Sequence, residues 1–183
     1  MIFPPREVTL KDGRIGILRS PDPAADAAEL VQYLYDTAAE TPYVLRYPDE
    51  IHYTVEGEER FLHNVVQSPL DCMILCEVDG RIAGNCHLVV RDKRKVKHRC
   101  DVAIALRREY WGNGIGTAMF EAMEEAARAH GGVEQMELEY IEGNNRARAL
   151  YEKMGFRLVS IHPDAIRQED GTLLALHSMM KKL

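Results

Sequence analysis

Apolar residues recur along the first half of the chain with two periods, that of a strand and that of a helix. Strand-like runs are joined by Asp12-Gly13 and by Asp79-Gly80, two pairs that are typical of hairpin turns. Between the hairpins, helical stripes predict one helix that ends at Thr41-Pro42 and another over residues 55–67. This half is therefore predicted to hold two strands, two helices and two more strands.

The second half opens with a short apolar strand over residues 102–106, which a glycine-rich turn and a helical stripe follow. Strands that alternate with helices predict a mixed sheet with helices on both of its faces. The remaining periodic runs predict a strand, a helix and two more strands, over residues 133–141, 145–154, 156–161 and 173–181.

The turn after residue 106 carries three glycines at alternate positions, Gly112, Gly114 and Gly116. A helix N-terminus presents unpaired N–H groups and a partial positive charge, and glycines let a phosphate approach them closely. A tight turn that needs positive φ explains the same glycines equally well. No Gly-Lys-Ser/Thr follows, so the stretch is not a P-loop, and Thr117 stands where a dinucleotide-binding fingerprint has its third glycine.

A second stretch, Asn144 to Phe156, reads Asn-Asn-Arg-Ala-Arg-Ala-Leu-Tyr-Glu-Lys-Met-Gly-Phe. Together with residues 110–117 it resembles the GCN5-related N-acetyltransferases, the GNAT superfamily, although Trp111 stands where Arg or Gln is common. The resemblance implies a single N-acetyltransferase domain over residues 1–183, with a core over about 14–183. It implies an α/β (α+β) fold with a mixed, largely antiparallel central sheet flanked by helices on both faces.

The same resemblance implies acetyl-CoA as the co-substrate, with its pyrophosphate on the glycine loop and its pantetheine and thiol end along the later segment. Backbone N–H groups near Ile104 and Leu106 are expected to meet the oxyanion that develops during transfer. Arg107, Arg108 and Arg146 add charge for the phosphates or, like many exposed arginines, bind nothing specific. The residues expected at acetyl-CoA are Ile104, Leu106, Gly112, Asn113, Gly114, Gly116, Thr117, Asn144 and Tyr151.

Acetyl transfer from a thioester to an amine needs a base, because a lysine-type amine has a free pKa of about 10.4. The resemblance implies Tyr151 as the acid near the departing thiolate, whereas periodicity alone favours a core tyrosine. Glu139 is the leading base, because its strand resembles the Leu-Glu-Val strand of ribosomal-protein alanine acetyltransferases. An outward-facing carboxylate is equally consistent, and Glu137 shares its face. Weaker base candidates are His98, Asp101, Glu40 and Glu142.

The composition excludes several classes of protein. The 183 residues are 46% hydrophobic and carry a net charge of −6, which argues against nucleic acid as a partner. No apolar run approaches the roughly 18 to 20 residues of a membrane span, and the N-terminus lacks a signal-peptide pattern, so we expect a cytoplasmic protein. No metal is expected, because the cysteines lie in apolar strands without metal-ligand spacing, at positions Cys72, Cys76, Cys86 and Cys100.

Residues 36–59 are rich in Asp and Glu and contain Arg46 as their only Lys or Arg residue. In the superfamily this region helps form the acceptor site, so a cationic amine would be attracted to it; a solvated acidic helix face explains the same charges. Tyr43, Tyr47 and Tyr53 either wall an amine by cation–π contact or pack the loop. We expect a primary amine as acceptor, either a small polyamine- or amino-acid-like molecule or a protein N-terminus.

The sequence therefore predicts an N-acetyltransferase that works by direct attack of the amine on acetyl-CoA. A non-catalytic acyl-CoA-binding sensor on the same fold is the alternative, since it would keep the glycine loop without needing Glu139 or Tyr151. A nucleotide-binding oxidoreductase is disfavoured by Thr117. The acyl length and the oligomeric state stay open, with a homodimer as one option.

Overall fold

The computed structural model describes every residue from Met1 to Leu183. Eight strands form one continuous sheet in the order β1-β2-β3-β4-β5-β6-β8-β7. The strands are β1 Arg6–Thr9, β2 Ile15–Arg19, β3 Asp71–Val78, β4 Arg81–Val90, β5 Arg99–Leu106, β6 Gln135–Ile141, β7 Arg157–Arg167 and β8 Leu173–Lys182. The helices are α1 Pro23–Glu40, α2 Val55–Gln67, α3 Ile115–Ala129 and α4 Asn145–Lys153.

One strand pair interrupts the regularity of the sheet. All neighbouring strands are antiparallel except β5 and β6, which are parallel. Residues 99–101 of β5 pair with residues 135–137 of β6, and the pairing stops there. From Val102 and Leu138 onward the two strands separate, so that a gap opens within the sheet.

The composition of β3 explains why helices cover both faces of the sheet. Cys72, Ile74 and Cys76 belong to a core of 27 buried residues on the side of α3 and α4. Met73 and Leu75 belong to a core of 8 buried residues under α1 and α2. A strand that is apolar at almost every position is typical of a sheet buried on both faces. The predicted two-sided architecture is confirmed.

Polar side chains fix the starts of three helices. Asp22, Thr54 and Asn144 each accept a hydrogen bond from a backbone N–H in the first turn of α1, α2 and α4 respectively. The fourth helix, α3, has no such cap and begins at Gly114, whose φ of 92° lies in the left-handed region. The glycine loop therefore leads directly into the N-terminus of α3.

Several strands differ from their predicted bounds. β5 begins at residue 99 and not at residue 102. The pattern of residues 8–11 predicts the first strand there, but residue 10 belongs to the hairpin turn, because the Leu10 N–H donates to the Arg14 carbonyl at 2.9 Å. The last long hairpin continues to Arg167, well past residue 161, because β7 passes through an irregularity and does not end at Pro163. Asp164 has a φ of 54° within this irregularity, which absorbs the unpaired residues as a β-bulge does.

Candidate active site

The gap between β5 and β6 exposes backbone groups of β5. The Arg107 N–H donates to the Ala83 carbonyl of β4 at 3.0 Å. Because N–H groups alternate in direction along a strand, those of Ile104 and Leu106 point away from β4, toward the gap. The indole N–H of Trp111 donates to the Leu106 carbonyl at 2.8 Å, which ties the start of the glycine loop to the end of β5. The predicted oxyanion donors thus lie at the edge of the gap.

The glycine loop presents a run of free backbone donors. The six consecutive N–H groups from residue 112 to residue 117 donate to no acceptor within the protein. Gly112 and Gly114 have φ values of 82° and 92°, and a Cβ at either position would meet no atom within 4 Å. Open space above unpaired amides at a helix N-terminus fits a phosphate group. These residues therefore fit the pyrophosphate of acetyl-CoA.

Gly116 has a different role from the other two glycines of the loop. A Cβ there would lie 2.8 Å from the Leu150 side chain, so glycine lets α4 pack closely against the start of α3. Thr117 accepts a hydrogen bond from the Lys153 ammonium at 3.0 Å. Asn113 faces the first hairpin, where its carbonyl accepts from the Lys11 N–H at 3.2 Å. The loop is thereby held by α4 on one side and by the first hairpin on the other.

Two of the three arginines proposed for the phosphates flank the loop. The guanidinium groups of Arg108 and Arg146 lie over the Trp111 ring, at 5.5 and 4.8 Å from its centre. Arg107 is 1% exposed and pairs with Glu29 and Asp36 of α1, at 3.0 Å each. The suggestion that Arg107 contributes phosphate charge is therefore wrong, because packing against α1 removes it from the loop surface.

Tyr151 on α4 is 7% exposed and packs edge-on against Phe120, at 5.5 Å between ring centres, with the tilted Phe156 ring at 6.4 Å. Burial, with a smaller contribution from Tyr140, raises its pKa to about 12. Its hydroxyl is bonded to no protein group, and the side chain lines the main cavity of the protein. Asn144 lines the same cavity, while its side-chain oxygen accepts from the Ala147 N–H at 3.2 Å.

Glu139 and Glu137 share one face of β6, and the structure distinguishes them. Glu139 is exposed and accepts a 2.9 Å hydrogen bond from the Ser178 hydroxyl. Glu137 is enclosed by the guanidinium groups of Arg91 and Arg99. Burial raises the pKa of Glu137, but hydrogen bonds from Arg99 and Gln135 and the arginine charges outweigh it, so the pKa lies below the usual value. Of the two, Glu139 is the carboxylate without a cationic partner.

The other base candidates are engaged elsewhere. Asp101 lines the cavity but pairs with Arg91 at 2.6 Å. Glu40 accepts from the Arg108 N–H at 2.6 Å, and Glu142 accepts from a backbone N–H of β8 at 3.0 Å. His98 does not line the cavity.

Both faces of the gap open into one cavity of about 1260 Å³. Residues 41–53 close it from above, since the Tyr43 hydroxyl donates to the Gly143 carbonyl at 2.9 Å and the Tyr47 hydroxyl accepts from the Glu169 N–H at 3.1 Å. The loop tyrosines therefore tie α1 and α2 to the far side of the gap. Sequence patterns did not single out several further lining residues, namely Tyr33, Glu58, Phe61, Asn85 and His87.

No helix of the protein has the length and apolar content needed to cross a bilayer. No group of three or more His, Cys, Asp or Glu side chains is arranged to hold a metal ion.

Comparison with known proteins identifies the class to which this site belongs. Residues 31–156 match the acetyltransferase (GNAT) family. A GNAT-family acetyltransferase from Streptococcus pneumoniae is 30% identical, with a TM-score of 0.86 over 92% of this chain and 99% of that one. The structure of yncA, a candidate acetyltransferase from Salmonella typhimurium with its cofactor acetyl-CoA, is 16% identical, with a TM-score of 0.79 over 92% and 94%.

A curated relative shares the sequence over a shorter stretch. This candidate ribosomal protein bS18-alanine N-acetyltransferase of Bacillus subtilis (strain 168) is 27% identical over 101 residues. The match covers 55% of this chain and 63% of the relative, which is less than two thirds of its length.

The chain belongs to the GNAT family of acetyltransferases. The resemblance and the fold class inferred from the two sequence motifs are thereby confirmed. The matches do not favour a non-catalytic sensor, because the solved relatives are acetyltransferases.

Proposed function

We propose that the protein transfers the acetyl group of acetyl-CoA to a primary amine by direct attack of the amine. One observation carries the proposal: Glu139 and Tyr151, which lie on different elements, both line the cavity that reaches the gap between β5 and β6. A base and a hydrogen-bond donor in one space, beside free backbone N–H groups, are the parts that acyl transfer to an amine needs.

In this proposal the glycine loop binds the pyrophosphate of acetyl-CoA. The free N–H groups of residues 112–117 supply the hydrogen bonds, and Arg108, Arg146 and Lys153 supply positive charge at the rim. Bound acetyl-CoA provides the activated acetyl thioester. The gap between β5 and β6 admits its pantetheine arm, which brings the thioester toward the N–H groups of Ile104 and Leu106.

Glu139 is the proposed base. An acceptor amine is largely protonated at neutral pH, so the carboxylate takes its proton, directly or through a water molecule, before the amine attacks. The Ser178 hydroxyl holds the carboxylate from the neighbouring strand β8. The N–H groups of Ile104 and Leu106 stabilise negative charge on the acetyl oxygen.

Tyr151 is the proposed donor to the departing sulfur. With a pKa of about 12 its hydroxyl stays protonated throughout the neutral range. A thiol in water has a pKa of about 8.5, so complete proton transfer from Tyr151 to a solvated thiolate would be uphill. Tyr151 is therefore proposed to donate a hydrogen bond to the departing sulfur, which stabilises the negative charge that develops there.

The acceptor is proposed to be a primary amine of either a small molecule or a protein N-terminus. The Bacillus subtilis relative supports the second class, because its name assigns it to N-acetylation of an alanine of ribosomal protein bS18, and an alanine carries an amine only at the chain terminus.

The first test is calorimetric titration with acetyl-CoA, with NADH and ATP titrated in parallel. Binding of acetyl-CoA alone is expected, and binding of another nucleotide in its place would overturn the assignment of the loop. The second test measures free thiol release from acetyl-CoA against a panel of amines. Amine-dependent release is expected, and full activity in both Tyr151→Phe and Glu139→Gln would overturn the assigned roles.

A further inference from the structure

Glu58 lies in the first turn of α2, is 7% exposed and lines the cavity. It is one of four buried polar or charged side chains, and the other three all have partners. Asp26 accepts from Arg19 at 2.6 Å, Thr37 donates to a carbonyl of α1 at 2.8 Å, and Arg107 pairs with α1. The side chain of Glu58 alone makes neither a hydrogen bond nor an ion pair within the protein.

An unpaired carboxylate is costly where burial removes part of its hydration, and the Glu58 oxygens keep only the access to solvent that the cavity gives them. Burial accordingly raises the pKa of Glu58, against an opposing effect of the Arg46 charge. Arg46 makes no ion pair with Glu58; it donates to the Tyr53 hydroxyl at 2.6 Å and lies over that ring. The cavity wall therefore holds a carboxylate that pairs with no cation and accepts no hydrogen bond within the protein.

Two other residues of the cavity wall, one on α2 and one on β4, contact each other and supply no charge either. Phe61, one turn further along α2, packs edge-on against His87 of β4 at 6.3 Å between ring centres. His87 bonds to Asp71 at 3.1 Å, and burial, opposed by Asp71, lowers its pKa below the usual value. His87 is therefore neutral near pH 7. An aromatic face, a neutral imidazole and an unpaired carboxylate form a pocket suited to an organic cation.

We propose that Glu58 binds a second cationic group of the acceptor, separate from the amine that is acetylated, so that preferred acceptors carry at least two positive charges. The inference rests on the proposed function and narrows its substrate class to diamines, polyamines and basic peptides. Glu58 lies on α2 whereas Glu139 lies on β6, so the two carboxylates have separate roles. Glu58 binds the cationic group at one end of the acceptor, and Glu139 deprotonates the amine at the other end.

The test compares acceptors that differ by one charge. The pairs are 1,5-diaminopentane with 1-aminopentane, and the dipeptide amide Ala-Lys with Ala-norleucine. Wild-type kcat/KM for thiol release is expected to favour the dicationic member by at least about tenfold, the value of one charge-assisted hydrogen bond. Preference within the first pair alone assigns a small diamine, and preference within the second alone assigns a peptide.

Glu58→Gln is expected to bring the ratio within each preferred pair close to one, chiefly through KM. Glu56→Gln is the matched control, because it removes the same charge from an exposed position of the same turn and should keep the wild-type ratio. Thermal unfolding verifies the fold of each variant, and Glu58→Met replaces Glu58→Gln if the latter unfolds.

Equal kcat/KM for both members of both pairs in the wild-type protein would overturn the role of Glu58, and this test needs no variant. So would a ratio that Glu58→Gln leaves unchanged. Arg46→Gln separates one more explanation: if Glu58 serves only to interact with Arg46, a preference for the dicationic member should appear in this variant and be absent from the wild type, whereas our proposal expects it in both. Absence of thiol release with every amine would instead count against the proposed function itself.

Discussion

The hydroxyl of Ser178 on β8 donates a 2.9 Å hydrogen bond to the carboxylate of Glu139 on β6, at positions that face each other in the antiparallel pair. The carboxylate is thus held by a neutral donor, which leaves its second oxygen free. Glu137, two residues earlier on the same face, is held by two arginines. Position along one strand therefore separates a carboxylate available for proton transfer from one bound in an ion-pair network.

Replacing Glu139 by glutamine is expected to lower kcat by roughly 10²- to 10⁴-fold, because the amide cannot accept the proton of the amine. Ser178→Ala should cost only a few-fold, since it loosens the carboxylate without removing it. Steady-state thiol release measures both. A Glu137→Gln variant with a larger loss of kcat than Glu139→Gln, at equal thermal stability, would transfer the role of base to Glu137.

Tyr151→Phe is expected to lower kcat by roughly 10- to 100-fold, the value of a hydrogen bond to a charged group. Acetyl-CoA affinity should stay unchanged, because the pyrophosphate contacts lie on another element. A donor must stay protonated, so its contribution is lost only as pH rises through its pKa of about 12. Wild-type kcat should therefore show no fall attributable to Tyr151 up to about pH 10.5. A fall centred near pH 10 that is missing in Tyr151→Phe would contradict the raised pKa, and an unchanged kcat in Tyr151→Phe would contradict the assignment itself.

Gly114→Ala is expected to cost about 1 to 2 kcal/mol of stability, because alanine disfavours the left-handed conformation. It should also weaken acetyl-CoA binding by roughly tenfold or more, since the new methyl group occupies the space above the free N–H groups. Gly80→Ala is the matched control, with a φ of 75° and equally open surroundings in a hairpin turn. Calorimetry should find normal acetyl-CoA affinity in Gly80→Ala, and equal affinity in the two variants would argue against the loop as a phosphate site.

Arg107→Met is expected to destabilise the protein by about 3 kcal/mol, because it leaves two carboxylates of α1 without their buried partner. For a chain of this size the melting temperature should fall by roughly 6 to 12 °C. Arg148→Met is the control, since Arg148 pairs with Glu152 at the surface and should cost less than about 1 kcal/mol. Acetyl-CoA affinity should be unchanged in folded Arg107→Met, and a specific loss of affinity would restore a phosphate role for Arg107.

Local patterns in the sequence determined the elements of this protein. The period of apolar residues and the turn pairs Asp12-Gly13 and Asp79-Gly80 predicted the order of strands and helices, because alternation and turn conformation depend on neighbours in the chain. The glycines at 112, 114 and 116 and the segment from Asn144 likewise indicated the family, since both motifs are contiguous.

Tertiary structure alone decided which side chains meet and which are already engaged. Arg107 and Arg108 are adjacent in sequence, yet one is buried against α1 and the other faces the glycine loop. Glu58 stood out from the other acids of residues 36–59 only once packing had buried it without a partner. Such pairings join residues that are far apart in the chain, so no local sequence pattern encodes them. They depend on which side chains packing buries and on the register of β6 against β8.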